Sequence, residues 1–151
     1  MKVIYWNHRP KKAQEDWAKQ VSIEELYQQA DIISLHVPQT SETEKVINQK
    51  TIARMKEGVI LLNTARGGLL DEAAVADALN RGQIFAAGVD VISKEPMTKD
   101  NPLMSAKNCI ITPHIAWRPL ETRERLMEIA VDNFAAYLAG KEKNVVNKEG
   151  A

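Results

Sequence analysis

The sequence predicts an α/β protein organised around a parallel sheet, and three observations carry that prediction. Short, unbroken, β-branched apolar runs recur along the chain. Segments with helix-capping signals alternate with them. Three chemistry-bearing side chains, Arg66 in NTARGG, Glu95 in VISKEP and His114 in TPHIAW, each follow one of the later runs. Apolar runs without polar alternation are the pattern of strands buried on both faces, the usual condition of a parallel sheet.

Taken in order, strands are expected at Val3 to Trp6, Asp31 to Val37, Gly58 to Asn63, Ile84 to Val91 and Asn108 to Thr112. Ser22 to Gln29 reads as a helix, because a capping serine precedes an acidic first turn. Asp71 to Arg81 reads as a second, opened by Asp71 and stopped at Gly82. The last long element, Leu120 to Ala139, carries an apolar stripe through Leu126, Ile129, Ala130, Phe134, Tyr137 and Leu138 and closes at Gly140. Such a stripe requires a surface to pack on. Pro96, Pro102, Pro113 and Pro119 stiffen the connections after the later strands.

The 151 residues fit one ordinary domain, and 44% apolar residues suffice for a core. Twenty basic residues balance twenty acidic ones and are interspersed, which gives no electrostatic reason to expect nucleic acid or an anionic membrane as a partner. The single cysteine, Cys109, sits in the apolar run CIIT and reads as a small core residue, so no disulfide forms within one chain. The amino-terminal apolar segment is too short for a signal peptide, and no run approaches the ~20 residues that span a bilayer. Cytoplasm is the expected compartment.

In an open α/β sheet, ligands lie beyond the carboxyl ends of the strands, which is where Arg66, Glu95 and His114 all fall. Imidazole with a carboxylate partner exchanges a proton near neutral pH, and a guanidinium grips a carboxylate in a two-point fork. Singly, each residue has a plainer reading: a surface ion pair, a loop charge, a satisfied turn histidine. Together, an acid–base pair and a guanidinium suit the reduction of a 2-keto acid. No set of residues with metal-ligand spacing is found.

Taken together, LLNTARGGLLDEAAVADALNRGQIFAAGVDVISKEP and NPLMSAKNCIITPHIAW resemble the D-isomer-specific 2-hydroxyacid dehydrogenases over residues 1 to 147. The resemblance implies that Arg66 binds the substrate carboxylate, that His114 protonates the carbonyl oxygen as hydride arrives, and that Glu95 holds the imidazole and raises its pKa. It implies a nicotinamide contact at Asp90. Ribose and phosphate contacts would come from His36, Val37, Pro38, Thr43, Asn63, Thr64 and Ala65. An acid at the end of the first expected strand binds the ribose of NAD and repels the extra phosphate of NADP. Here that place holds Asn7, followed by His8 and Arg9, which admits NADP and slightly favours it. Trp117 in HIAW points to the glycerate dehydrogenase or hydroxypyruvate reductase branch, with hydroxypyruvate or glyoxylate as substrate.

The implied fold is a doubly wound, Rossmann-like sheet that is incomplete, because it lacks its first strand and the glycine-rich loop GxGxxG. Gly67 and Gly68 do not replace that loop, since ARGG lacks the spacing that brings amides to a pyrophosphate. Residues 1–117 are expected to form a partial NAD(P)-binding domain, and 118–151 a helix and tail that in the family returns toward the substrate domain. The two strands beside the gap are expected to pair with one another or to be covered by a second copy, giving a homodimer or other self-association. A truncated reductase, weak or inactive alone, is one functional reading. The other is a non-catalytic oligomerising or partner-binding module that keeps the scaffold.

Overall fold

The computed structural model describes residues 1–7 and 16–146. The chain divides into two compact units, 1–114 and 115–151. In the first unit the elements run β1 (Val3–Tyr5), β2 (Ala18–Gln20), α1 (Ile23–Gln29), β3 (Ile32–Leu35), α2 (Gln49–Ile52), β4 (Val59–Asn63), α3 (Glu72–Arg81), β5 (Ile84–Val89) and β6 (Cys109–Ile111). Two 3-10 turns, Gly67–Leu69 and Pro102–Ser105, interrupt the connections.

Every strand pair is parallel, but the strands form two sheets: β1 with β2, and β3-β4-β5-β6 in that order. The two edges beside the gap do not pair with one another, contrary to one of the sequence expectations, because β1 and β3 belong to different sheets. Each strand has two edges: β1 uses one on β2 and β3 uses one on β4, and among the described residues no strand bridges the two. Two elements lie outside those the sequence pattern predicts: β2, whose Ala-Lys-Gln carries no apolar run, and α2, a single turn closed by a capping box between Asn48 and Thr51.

Capping explains the helix limits. Ser22 Oγ accepts the Glu25 amide at 3.1 Å, and Asp71 Oδ1 accepts the Ala74 amide at 3.2 Å. Gly82 ends α3 with φ 82°, a left-handed conformation natural to glycine.

One face of the larger sheet packs on helices. Ile33, Leu35, Val59, Leu61, Ala87 and Val89 are buried there with Tyr27 of α1, Ile52 of α2, and Val75, Ala78 and Leu79 of α3. Burial pushes the Tyr27 phenol up to about 12, with the nearby Glu24 carboxylate adding to the rise. The opposite face is much barer: Ile32, Leu62 and Ile110 are 51%, 38% and 71% exposed. Parallel sheets are ordinarily covered on both sides.

In the second unit, α4 (Leu120–Leu138) has no buried residue, and Leu126, Phe134, Tyr137 and Leu138 are all exposed. The chain leaves it through Gly140 at φ 67°, and Lys143 reaches back to Asp132 at 2.8 Å. No helix among the described residues is long and apolar enough to cross a membrane.

Candidate active site

Arg66, Glu95 and His114 lie on the loops that follow β4, β5 and β6, three adjacent strands, all within the first unit. Backbone hydrogen bonds tie these loops together at their roots. The Asp90 amide donates to the Asn63 carbonyl at 2.9 Å, and the His114 amide donates to the Asp90 carbonyl at 2.8 Å.

His114 adopts φ 54°, a left-handed conformation uncommon outside glycine, and its imidazole Nδ1 lies 2.9 Å from Glu95 Oε2. Glu95 Oε1 also accepts the Ile92 amide, at 3.3 Å. The bond from His114 and that from the Ile92 N–H hold the Glu95 carboxyl below its ordinary 4.5, opposed by partial desolvation and the Asp90 charge. Glu95 is therefore ionised at neutral pH and fixes the imidazole by the nitrogen that faces it. Because its pKa is lowered in the folded state, the stability it contributes is present above about 4.3 and is lost as pH falls through the folded value. Glu95→Gln should accordingly flatten the acid limb of stability, read by urea unfolding at neutral pH and again below pH 4.5.

Asn63 is fully buried and uses both ends of its amide on the Arg66 loop. Its Nδ2 donates to the Arg66 carbonyl at 2.9 Å, and its Oδ1 accepts the Ala65 amide at 3.1 Å. The Arg66 guanidinium itself donates to the Ala65 carbonyl at 2.6 Å. Gly67 brings this loop against the next: a Cβ on it would lie 1.9 Å from the Ile92 carbonyl carbon. That neighbour is backbone, so no rotamer change relieves the clash. Gly67→Ala should destabilise the fold by about 1–3 kcal/mol or displace the Glu95 loop, measured by denaturant melts alongside the Glu95 carboxyl resonance.

Asp90 is only 5% exposed, and Thr112 Oγ1 donates to its Oδ1 at 2.5 Å. Thr64, Asp90 and Thr112 join Ser34, Leu62, Gly88 and Ile110 around an open recess of about 250 Å³ on the barer sheet face. His36 Nε2 meets Ser34 Oγ at 2.8 Å, and Thr43 Oγ1 donates to the Pro38 carbonyl at 2.6 Å while accepting the Thr40 amide. Val37 packs at the margin of the core, and Asn7 lies just beyond β1. His8 and Arg9 lie outside the described residues. Thr112 and Ser34 escaped the sequence reading, since each is recognised only through the side chain it binds. Among the described residues, no group of three or more His, Cys, Asp or Glu is placed to hold a metal ion.

The amino-terminus of α3 is no substitute phosphate cradle. Asp71 already occupies the Ala74 amide, and Glu72 adds a second carboxylate to that turn.

A parallel sheet with an acid–base pair and an arginine at its carboxyl edge defines an α/β protein of the Rossmann-like class. Residues 1–116 match the NAD binding domain of the D-isomer specific 2-hydroxyacid dehydrogenases, and the chain belongs to that family. It is 51% identical over 149 residues to a hydroxypyruvate reductase of Blautia hydrogenotrophica, covering 98% of this chain and 46% of the relative. It is 46% identical over 128 residues to a glycerate dehydrogenase of Methylorubrum extorquens, covering 83% and 41%. A solved acyclic imino acid reductase in complex with NADPH and D-arginine superposes with a TM-score of 0.85 at 39% identity, covering 97% of this chain and 46% of that one. The chain thus spans about half the length of the curated relatives it matches.

Proposed function

We propose that this chain provides the proton-transfer half of a nicotinamide-dependent reductase of a small 2-keto acid, hydroxypyruvate or glyoxylate. The observation that carries the reading is the 2.9 Å contact between His114 Nδ1 and Glu95 Oε2, beside a loop that presents Arg66. With Nδ1 directed at Glu95, His114 delivers its proton to the carbonyl oxygen through Nε2. Glu95, ionised at neutral pH, offsets the charge on the imidazolium while it waits. Arg66 grips the substrate carboxylate, which fixes which carbonyl face is presented.

The recess fits the nicotinamide end of a cofactor: its floor is Leu62, Gly88 and Ile110, and Asp90 with Thr112 supplies polar groups at one end. Asp90 would accept a hydrogen bond from the carboxamide, and Asn63, Thr64, Ala65, His36, Val37, Pro38 and Thr43 would line the path toward the ribose and phosphates. The bound nicotinamide supplies the hydride. Asn7 in place of an acid beyond β1 favours NADP modestly, and the NADPH complex of the imino acid reductase is in keeping with that. Residues 1–117 act as the cofactor-side domain, and 118–151 as an appended helix and tail.

The exposed apolar residues of α4, the barer sheet face and the open edge of β3 support self-association, with a second copy covering at least one of them. A monomer by light scattering with a cooperative melt would overturn this part.

The deciding experiment titrates the chain with NADH and NADPH separately, following nicotinamide fluorescence. Saturable binding with micromolar Kd, about −8 kcal/mol, followed by hydroxypyruvate-dependent oxidation, supports the reductase. Absence of binding to millimolar concentration turns the reading to a scaffold module that contacts partners without turnover.

A further inference from the structure

The acid–base pair depends on the loop between β5 and β6. Glu95 is exposed and stands on the segment from Asp90 to Asn101, which contains no regular element. Something must hold that segment if Glu95 is to meet His114 at a defined distance, because ordering a free backbone costs conformational entropy at every residue.

The hold comes from α3. Glu72, in its first turn, accepts the Ser93 amide at Oε1 (2.7 Å), and accepts both the Ser93 hydroxyl (2.9 Å) and the Asn101 side-chain amide (3.0 Å) at Oε2. Three donors from the two ends of one loop thus converge on one carboxylate. A charged acceptor makes the stronger kind of hydrogen bond. Gly67 presses on the same place from the Arg66 loop, since Ile92 and Ser93 are the backbone its absent Cβ would strike. Two positions further along, Glu95 binds the Ile92 amide and His114.

We propose that Glu72 is a positioning residue: its carboxylate clamps Ser93 and Asn101 so that the loop presents Glu95 to His114. Its connection to catalysis rests on the reductase reading above, while the clamp itself does not. Glu72 makes no hydrogen bond or ion pair with Glu95 or His114, and acts through Ser93 and Asn101.

The test follows the Glu95 carboxyl by carbon-detected NMR through a pH titration of the 151-residue chain. Comparison is made with Glu72→Ala, Glu72→Gln and Ser93→Ala, each checked for folding by its core methyl spectrum. In the parent chain the midpoint lies below the ordinary 4.5, because His114 and the Ile92 amide favour the ionised form. With the clamp gone those bonds loosen, and the midpoint in Glu72→Ala should move upward. Removing a negative charge would by itself move it downward, so the sign separates loop release from a through-space charge effect. Glu72→Gln, which keeps one acceptor oxygen, should restore part of the shift. Ser93→Ala, which leaves α3 intact, should reproduce the upward direction more weakly, and it decides the matter if Glu72→Ala does not fold.

An unchanged or lowered Glu95 midpoint in the folded variants overturns the clamp and leaves Glu72 a contributor to stability alone. Where the chain reduces hydroxypyruvate, Glu72→Ala should also lower kcat on the order of 10- to 100-fold with cofactor Kd unchanged. Loss of the reductase reading would remove that activity from every form, the parent included, and leave the NMR result standing.

Discussion

Under the proposed reductase function, His114→Gln is expected to lower kcat for 2-keto acid reduction about 10²- to 10⁴-fold, the range that a positioned general acid contributes. Glutamine keeps a polar, hydrogen-bonding side chain of similar reach but has no proton to give near neutral pH. The bonds that the His114 backbone amide makes to Asp90 and Thr112 survive the change, so the loop should keep its path. Cofactor affinity should therefore stay within about twofold, since the loss falls on an interaction realised in the transition state. Single-turnover kinetics by nicotinamide fluorescence separate the two quantities. A variant that retains most of its kcat, or that loses it only through weaker cofactor binding, removes His114 from the role of acid.

Leu69→Ala should cost about 2–5 kcal/mol in unfolding free energy, the range for a fully buried leucine whose neighbours close up only in part. Leu69 is completely buried in the 3-10 turn that joins Arg66 to α3, and its carbonyl accepts the Ile47 amide at 3.0 Å. Against a total stability of about 5–15 kcal/mol, such a loss approaches the whole margin of a small domain. The site should feel it as well. The same turn anchors the strand-like contact from Ile47 to Leu70, and Asp71 begins α3 immediately afterwards. Urea denaturation should show a lower midpoint with an unchanged slope. A change near zero would mean that Ile47, Leu70 and Leu103 refill the space, and that this part of the core is looser than its burial implies.

The apolar runs located every strand of the larger sheet, and Ser22, Asp71 and Gly82 marked the limits of α1 and α3 because capping is a local property of a few adjacent residues. The strands are shorter than those runs. Asp90 and Val91, for example, continue the sequence pattern of β5 but belong to the loop that carries the site. The contact between Glu95 and His114 was legible from the order and flanks of the motifs that contain them. What holds it in place was not. Glu72 reaches Ser93 across 21 positions and Asn101 across 29, and nothing in local periodicity relates such residues. Thr112 beside Asp90, 22 positions away, escaped for the same reason. The sequence led to two expectations for the edges beside the gap, pairing with one another or cover by a second copy; the first fails, since β1 pairs only with β2, whose three residues show no strand pattern, and β3 only with β4.

Tyr27 lies in the core cluster, where its hydroxyl donates to the Val46 carbonyl at 3.4 Å and also meets the Thr51 side chain. Its raised pKa makes the folded chain hold a proton that the unfolded chain releases near 10, so the stabilisation is complete below that pH and disappears as pH climbs toward about 12. Alkali therefore weakens this fold at the Tyr27 phenol, and the half-buried Cys109 thiol, also pushed up, adds in the same sense. Between about pH 10 and 12, tyrosinate absorbance from Tyr27 comes chiefly from opened chains, which gives the molecule an internal optical record of its own opening.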